Sequence, residues 1–215
     1  MKLKSLLIFV TIIMFIKPGF AEEVNLTAIV RTGSFTQLKV ALSNGANPNQ
    51  TNNDGSTPLM WAAMTNQINK VKYLVKSSAE LDAQDNNGRS ALMFSAAKSN
   101  NAISRYLLSL KANPDLTDFV GQSSLFYAVI NGSPSSVEII AQATNNINQR
   151  DTLLGSTALQ LALLLNRKNQ LKVLLENGAD MTALDYKSQT VSDNCNPQVN
   201  KEICTILQEF KAKTK

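Results

Sequence analysis

The chain has 215 residues and a formal net charge of +5, with no histidine and only two cysteines. Zinc sites draw most of their ligands from His and Cys, and Ser-His-Asp and Cys-His catalytic sites need a His, so the composition argues against both classes of site. We therefore predict a protein without catalytic residues, metal or cofactor.

The N-terminal segment has the features of a secretory signal. Two lysines precede an apolar run at residues 6–16, and small residues, Gly19 and Ala21, precede a pair of glutamates. The run is shorter than the about 20 apolar residues that a membrane-spanning helix needs, which argues against the alternative of a permanent anchor. We expect residues 1–21 to be a signal peptide, cleaved after Ala21. No Cys follows this position, so a lipid anchor is not expected.

Cleavage changes the charge that a partner would meet. It removes three lysines and no acid, which lowers the formal charge from +5 to +2. Three remaining lysines lie in the last five residues, so the body of the protein is nearly neutral. We therefore expect binding neither to nucleic acid nor, after cleavage, to membranes. The mature chain is expected in the periplasm or outside the cell.

A repeat of 33 residues begins after this segment. Four glycines mark it, with one extra residue between Asp151 and the last of them: Gly55, Gly88, Gly121 and Gly155. Apolar residues then follow the i, i+3, i+4 spacing of a helix face twice in each unit, for example Leu59, Ala62 and Ala63, then Val71, Leu74 and Val75. Stretches rich in Asn, Asp and Gly separate the units. Each unit is therefore predicted to be two helices and a projecting turn.

Residues 57–62 carry a family resemblance. They read Thr-Pro-Leu-Met-Trp-Ala, which resembles the ankyrin signature Thr-Pro-Leu-His-x-Ala, and weaker versions stand at 90–95, 123–128 and 157–162. The resemblance implies an all-α solenoid of helix-turn-helix units with projecting turns. It implies five ankyrin repeats in residues 22–186, followed by a capping helix pair and basic tail in residues 187–215.

The signature histidine is replaced in every unit that has the signature. The residues in its place are Met60, Met93, Phe126 and Gln160. In the family this His donates a hydrogen bond to the neighbouring turn. We therefore expect that bond to be absent here and the turns to be less firmly held.

The two cysteines lie in the C-terminal segment. Extending the repeat places Cys195 in the column of Ala162 and Cys204 in the column of Leu171, so both face inward from opposite helices of the last pair. Export to a compartment that permits disulfides favours a Cys195–Cys204 bond, which would stabilise the chain by about 2–3 kcal/mol. The alternative is two reduced thiols in the core.

The resemblance assigns partner contacts to the turn tips and to the end of each first helix. These positions are polar in the second and third units and apolar in the fourth and fifth. The apolar candidates are Phe119, Val120, Ile130, Leu153, Leu154, Leu164 and Leu165, with Tyr186 on the next tip. We therefore expect a partner to contact residues 119–186. For Ile130, Leu164 and Leu165, packing into gaps between helices is the alternative.

A second column of large side chains precedes the small residue of each first helix. Its aromatic members are Trp61, Phe94 and Tyr127, with Leu161 in the fifth unit. Aromatic residues are common anchors at interfaces, so the three are candidate partner contacts. The alternative is that they pack against the neighbouring unit.

The sequence thus predicts a monomeric, exported scaffold that binds a protein partner, and that inhibits, protects or positions a periplasmic enzyme. A secreted effector that binds a host protein is the alternative. An enzyme using carboxylates or a Ser/Lys pair is the third possibility. The visible acids fall at turn positions that the fold explains: Asp54, Asp85, Asp118, Asp151 and Asp185. No glycine-rich phosphate loop or nucleophile elbow is present.

Overall fold

The computed structural model describes residues 25–213, so the predicted signal peptide lies outside the described residues. This range folds into eleven α-helices. They are α1 (Leu26–Thr32), α2 (Phe35–Ser43), α3 (Pro58–Met64), α4 (Ile68–Lys76), α5 (Ala91–Ala97), α6 (Asn101–Ser109), α7 (Ser124–Asn131), α8 (Pro134–Ala141), α9 (Ala158–Leu164), α10 (Lys168–Glu176) and α11 (Lys201–Lys213). The predicted all-α repeat solenoid is confirmed. Within the described range, no helix has the length and apolar character needed to cross a bilayer.

The helices stack in two layers. First helices of successive units contact one another in the order α1, α3, α5, α7, α9, and second helices in the order α2, α4, α6, α8, α10, α11. One continuous hydrophobic core lies between the layers. It is built from the predicted columns, including Leu59, Leu74, Leu92 and Leu107, each at most 1% exposed. The solenoid therefore has no separate domains among its described residues.

Capping residues set where the first helices begin. The side chains of Thr57, Ser90 and Thr157 accept a hydrogen bond from the backbone N–H three residues later, and that third residue's side chain accepts from the cap's own N–H. This reciprocal cap satisfies two backbone donors that a helix leaves free. It occupies the start of the signature motif, which explains why the motif recurs at helix starts.

Side chains of one unit also cap the helices of the unit before it. Polar residues at the start of a second helix donate to the last carbonyls of the first helix in the unit before. The bonds run from Gln67 to Val30 at 3.0 Å, from Asn100 to Ala63 at 2.7 Å, and from Arg167 to Ile130 at 2.9 Å. These carbonyls have no partner inside their own helix. The Lys70 ammonium adds bonds of 2.8 Å to the Val30 and Gly33 carbonyls, and burial lowers its pKa. Neighbouring units are therefore joined by hydrogen bonds as well as by the core.

The turn tips are joined by backbone hydrogen bonds. One N–H of each tip donates to a carbonyl of the tip before: Asn86 to Asp54 at 3.0 Å, Phe119 to Asn87 at 3.1 Å, Thr152 to Val120 at 2.9 Å, and Tyr186 to Leu154 at 2.9 Å. This tip ladder continues through the tip with the extra residue. Because it uses only main-chain atoms, it holds the turns whichever residue replaces the signature histidine.

The C-terminal unit differs from the predicted helix pair. Thr190 and Asp193 form a reciprocal cap like those of the other units, but only a single turn follows, at residues 191–194. Pro197 gives the physical reason, because proline lacks an N–H donor and disfavours helical backbone at Asn196. The chain then turns and enters α11, which packs on α10 as a second helix should. The unit thus has its second helix and one turn of its first.

Candidate functional site

A groove of about 470 Å³ lies beside the last complete helix pair. Its walls are the tip at residues 153–156, helix α9, the tip at residues 185–189, and the segment at residues 194–200. The apolar side chains that line it are Leu153, Leu154, Leu163, Leu164, Tyr186 and Val199. Four of these are predicted partner contacts, so the structure brings together residues that lie up to 33 positions apart in the sequence.

The groove carries large apolar side chains in contact with water. Leu153 is 61% exposed, Leu164 is 68% exposed and Val199 is 76% exposed. Apolar surface costs about 25 cal/mol per Å² when it stays in water, and a contiguous patch of it commonly marks an interaction surface. Leu164 therefore does not pack into a gap between helices, which was the alternative for this residue.

The shortened first helix of the C-terminal unit explains why the groove exists. Helices α1, α3, α5 and α7 are each covered by the first helix of the next unit. Helix α9 is followed instead by the single turn at residues 191–194 and the turning segment after it. The face of α9 that carries Gln160, Leu163 and Leu164 consequently lines an open groove.

The lengthened tip is held by one carboxylate. Asp151 Oδ1 accepts hydrogen bonds from the backbone N–H groups of Leu153 at 3.0 Å, Leu154 at 2.7 Å and Gly155 at 3.1 Å. Arg150 Nε donates to the Gly155 carbonyl at 2.8 Å on the other side. The tip is therefore fixed while both leucines face solvent, which reduces the entropy that a bound partner would have to remove.

Tyr186 packs against this tip. Its backbone N–H bonds to the Leu154 carbonyl, and the Arg150 guanidinium carbon lies 5.3 Å from its ring centroid. Gly155 adopts φ +66°, and a Cβ there would lie 2.5 Å from Tyr186 Cδ1. A glycine is required for both reasons, since it tolerates positive φ and leaves room for the ring. Adjacent tips thus jointly position the aromatic edge of the groove.

Gln160 corrects one expectation from the sequence. Its Nε2 donates to the Ala183 carbonyl at 3.1 Å and to the Gln189 carbonyl at 2.9 Å, so the signature-type bond to the neighbouring turn is present here. Met60 and Met93 instead accept at sulfur from the N–H of their own cap residues, and Phe126 is fully buried. The expected loss of the bond was wrong at Gln160, because a primary amide supplies the same donor as the missing imidazole.

The remaining predicted contacts lie outside the groove lining. Phe119 is 77% exposed on the preceding tip, and Leu165, the C-cap residue that follows α9, is 39% exposed. Val120 and Ile130 are half-buried, and their carbonyls accept hydrogen bonds from Thr152 and Arg167. A partner contact at these four residues stays a prediction.

The aromatic column makes contacts within the protein. Tyr127 donates its hydroxyl to Asp118 Oδ2 at 2.8 Å, and burial, followed by this bond, raises its pKa. The Arg89 guanidinium lies 4.9 Å from the Phe94 ring centroid, and Arg31 lies 5.6 Å from that of Trp61. Half-buried rings with partners of their own favour the packing interpretation for this column.

Four of the five turn acids noted in the sequence act as turn caps. A carboxylate oxygen of Asp85, Asp118, Asp151 and Asp185 accepts backbone N–H groups of its own turn. Asp54 does not have this role, because Asn52 stands at the equivalent position and accepts from the N–H groups of Asp54 and Ser56. In the described range, no group of three or more Cys, Asp or Glu side chains is arranged to hold a metal ion.

The two cysteines are paired. Cys195 and Cys204 have sulfur atoms 2.06 Å apart and Cα atoms 5.7 Å apart, so the predicted disulfide is confirmed. The third unit shows why the register placed them face to face. Ser95 and Ser104, 100 positions earlier, hold the same two places, and their Oγ atoms lie within hydrogen-bond distance, 2.8 Å. These two columns therefore meet inside a helix pair.

Sequence reasoning missed Val199 and the asparagines beside it on the groove wall, Asn194, Asn196 and Asn200. The repeat register predicted a complete helix pair there, which would have placed Asn194 and Asn196 on its first helix, and Val199 and Asn200 between its two helices. Pro197 was the available signal against the first of those helices.

Three carboxylates in residues 185–202 have lowered pKa values, and one of them, Asp185, lines the groove. The hydrogen bond from the Gln189 backbone N–H has the largest effect on the pKa of Asp185, and the bond from the Thr190 hydroxyl has the largest effect on that of Asp193. The pKa of Glu202 is lowered mainly by Lys168, whose Nζ donates to Glu202 Oε2 at 2.6 Å. A carboxyl whose pKa is lower in the folded state adds stability above its unfolded pKa and loses it as pH falls through the folded value. The C-terminal unit is therefore sensitive to acid.

We expect acid to loosen residues 185–202 before the rest of the chain. As pH falls below about 4, amide signals of Lys187 and Gln189 in two-dimensional NMR spectra should change, while the indole signal of Trp61 at the other end stays constant. An Asp185→Asn variant should respond less at these two amides. Simultaneous changes at Trp61 and Gln189 would contradict the prediction.

Comparison with known families gives one finding. A family model described as ankyrin repeats, in three copies, matches residues 26–118 and 110–185, which together make up well over half of the chain. The matches include all five complete helix pairs and end where the C-terminal unit begins. No curated protein matches the chain at a significant level.

Proposed function

Because the chain belongs to the ankyrin repeat family, we propose that it is an exported scaffold that binds a protein partner through the groove and its neighbouring tips. Ankyrin repeats generally mediate protein–protein interaction and are typically non-catalytic. The scaffold would inhibit, protect or position an enzyme of the compartment to which it is exported.

The observation that carries this proposal is the convergence of exposed apolar side chains on one groove. Leu153, Leu164, Tyr186 and Val199 come from four different segments, and each is more than half exposed. The tips that carry Leu153 and Tyr186 are fixed by hydrogen bonds. Protein interfaces concentrate binding energy in a few apolar and aromatic anchors on such preorganised surfaces.

Export is supported by the lysine-flanked apolar segment and by the small residues Gly19 and Ala21 before the expected cleavage site. The Cys195–Cys204 pair is in keeping with a compartment that permits disulfides. Fractionation of the producing cell, with N-terminal sequencing of the recovered protein, tests this part. A cytosolic protein that still begins at Met1 would refute it.

Affinity capture with residues 22–215 tests the binding surface. Wild-type protein should recover a specific partner from the periplasmic or extracellular fraction. The double variant Leu153→Ser with Leu164→Ser should bind that partner at least about tenfold more weakly, because it removes two groove side chains. Both side chains are exposed, so the stability of the fold should change by no more than about 0.5 kcal/mol per site.

Val40→Ser is the matched control. Val40 is an apolar residue of α2 with 53% exposure, and it lies at the other end of the stack. This variant should bind the partner like the wild type. Unchanged capture by the groove double variant, or an equal loss with Val40→Ser, would refute the groove as the binding surface.

A further inference from the structure

One wall of the groove belongs to a short loop that the disulfide closes. Cys195 and Cys204 are nine residues apart, and the segment between them supplies Asn196, Val199 and Asn200 to the groove lining. This wall follows the single turn that stands in place of the first helix of the C-terminal unit. Among the described residues, every other part of the lining belongs to a turn tip, to α9 or to the turn at 191–194.

The loop is held mainly by bonds within itself. The N–H groups of Val199 and Asn200 donate to the Asn196 carbonyl at 3.0 and 2.8 Å, and Asn200 Oδ1 accepts from the Asn196 N–H at 2.9 Å. These bonds fix the shape of the loop but do not attach it to α9. Val199 is 76% exposed, so its side chain provides little packing.

The disulfide attaches the N-terminal end of this loop to α11, whereas its other end runs directly into α11, with the Cys204 N–H donating to the Asn200 carbonyl at 3.1 Å. Cys204 lies on α11 and is 6% exposed, between the buried residues Ile203 and Leu207. Helix α11 in turn packs on α10. The covalent bond therefore joins Cys195, which is half-buried against the core, to a helix that is anchored in that core.

The third unit holds the same two positions together without a covalent bond. There Ser95 and Ser104 meet by one hydrogen bond, but Ser95 lies on the complete helix α5, which packs against α3 and α7. Helix packing therefore holds that position. In the C-terminal unit only one turn precedes Cys195, and no unit follows it among the described residues.

We propose that the Cys195–Cys204 disulfide is a redox switch for the groove: the oxidised chain has a complete groove wall, and the reduced chain does not. This proposal rests on the proposed function, because the groove is the surface that would bind a partner. Export would then couple binding to the oxidising compartment, so that precursor retained in a reducing compartment would lack the complete site.

The chemistry is thiol–disulfide exchange with a disulfide oxidant such as oxidised glutathione. The thiolate of one cysteine attacks a sulfur of the oxidant and releases one thiol, giving a mixed disulfide. The second thiolate attacks the protein sulfur of that mixed disulfide, forms the Cys195–Cys204 bond and releases the second thiol. The two protons leave with the released thiols, and the oxidant takes both electrons.

Hydrogen exchange followed by mass spectrometry tests the proposal without any partner. Residues 22–215 would be compared in oxidised form, after reduction, and after reoxidation with oxidised glutathione. Reduction should increase exchange in residues 186–200 at least about tenfold and leave residues 57–110 unchanged. Reoxidation should restore slow exchange. Thiol alkylation and mass measurement would verify the redox state of each sample.

The double variant Cys195→Ser with Cys204→Ser is the control. It reproduces the serine pair of the third unit, so its exchange should match that of the reduced wild type and should not respond to redox conditions. Equal exchange of residues 186–200 in the oxidised and reduced chains would overturn the proposal. Faster exchange throughout residues 57–110 would also overturn it, because the disulfide would then stabilise the whole fold. Failure to capture a partner, in contrast, would count against the proposed function only.

Discussion

Replacing Phe126 by alanine is expected to lower the free energy of unfolding by about 3–5 kcal/mol. The ring is fully buried in α7, which packs between α5 and α9, so truncation leaves a cavity at the centre of the stack. Phe126 occupies the position of the signature histidine. Urea unfolding, followed by circular dichroism and by fluorescence of Trp61, the only tryptophan, would measure the change.

Phe119→Ala removes the same atoms from the surface. Phe119 lies seven residues earlier and is 77% exposed, so we expect its truncation to change the free energy of unfolding by less than about 0.5 kcal/mol. A similar loss from both substitutions would mean that Phe119 packs in the solenoid. It would then be an unsuitable partner contact.

Gly88→Ala is the second substitution with a large expected effect on stability. Gly88 adopts φ +81°, and a left-handed conformation costs other residues about 1–2 kcal/mol. An added Cβ would also lie 2.9 Å from Asp118 Cα and 3.0 Å from the Phe119 nitrogen. It would thus force apart two tips joined by the Phe119 to Asn87 hydrogen bond, whose net contribution is about 0.5–1.5 kcal/mol.

Gly45→Ala separates the two contributions. Gly45 has φ +89°, but a Cβ there meets no atom within 4 Å. Its replacement should cost only the conformational energy, so Gly88→Ala should be the more destabilising by about 1 kcal/mol. The comparison uses urea unfolding of both variants. Equal destabilisation would show that the tip ladder adds no stability at this position.

The regular part of the fold could be predicted because its signal is periodic. Residues such as Leu59 and Leu92 recur every 33 positions and are buried for the same reason in each unit. The tip ladder could not be predicted, since main-chain hydrogen bonds between turns leave no side-chain pattern. That is why the sequence indicated loosely held turns, whereas the structure has connected ones.

The groove could be predicted in part. Leu153 and Tyr186 stand out in the sequence because they are apolar on turn tips that are polar in the second and third units. Leu164 stands out as a large apolar residue at the end of a first helix, where exposure is expected. Val199 falls at the position of Asn166 in the register, between the helices of a pair, so its place on the groove wall depends on where the last first helix stops. The Thr190 cap favours the start of that helix, whereas Pro197 disfavours its continuation, and the register alone does not say which effect is the larger.

The meeting of the same two columns inside each helix pair makes the solenoid suitable for engineering. The C-terminal unit has a disulfide at these columns, between Cys195 and Cys204. The serine pair of the third unit stands at the equivalent place, with its hydroxyl oxygens 2.8 Å apart. A second disulfide at positions 95 and 104 would join α5 to α6 covalently, so this helix pair would stay together even when the neighbouring units on which it otherwise depends unfold.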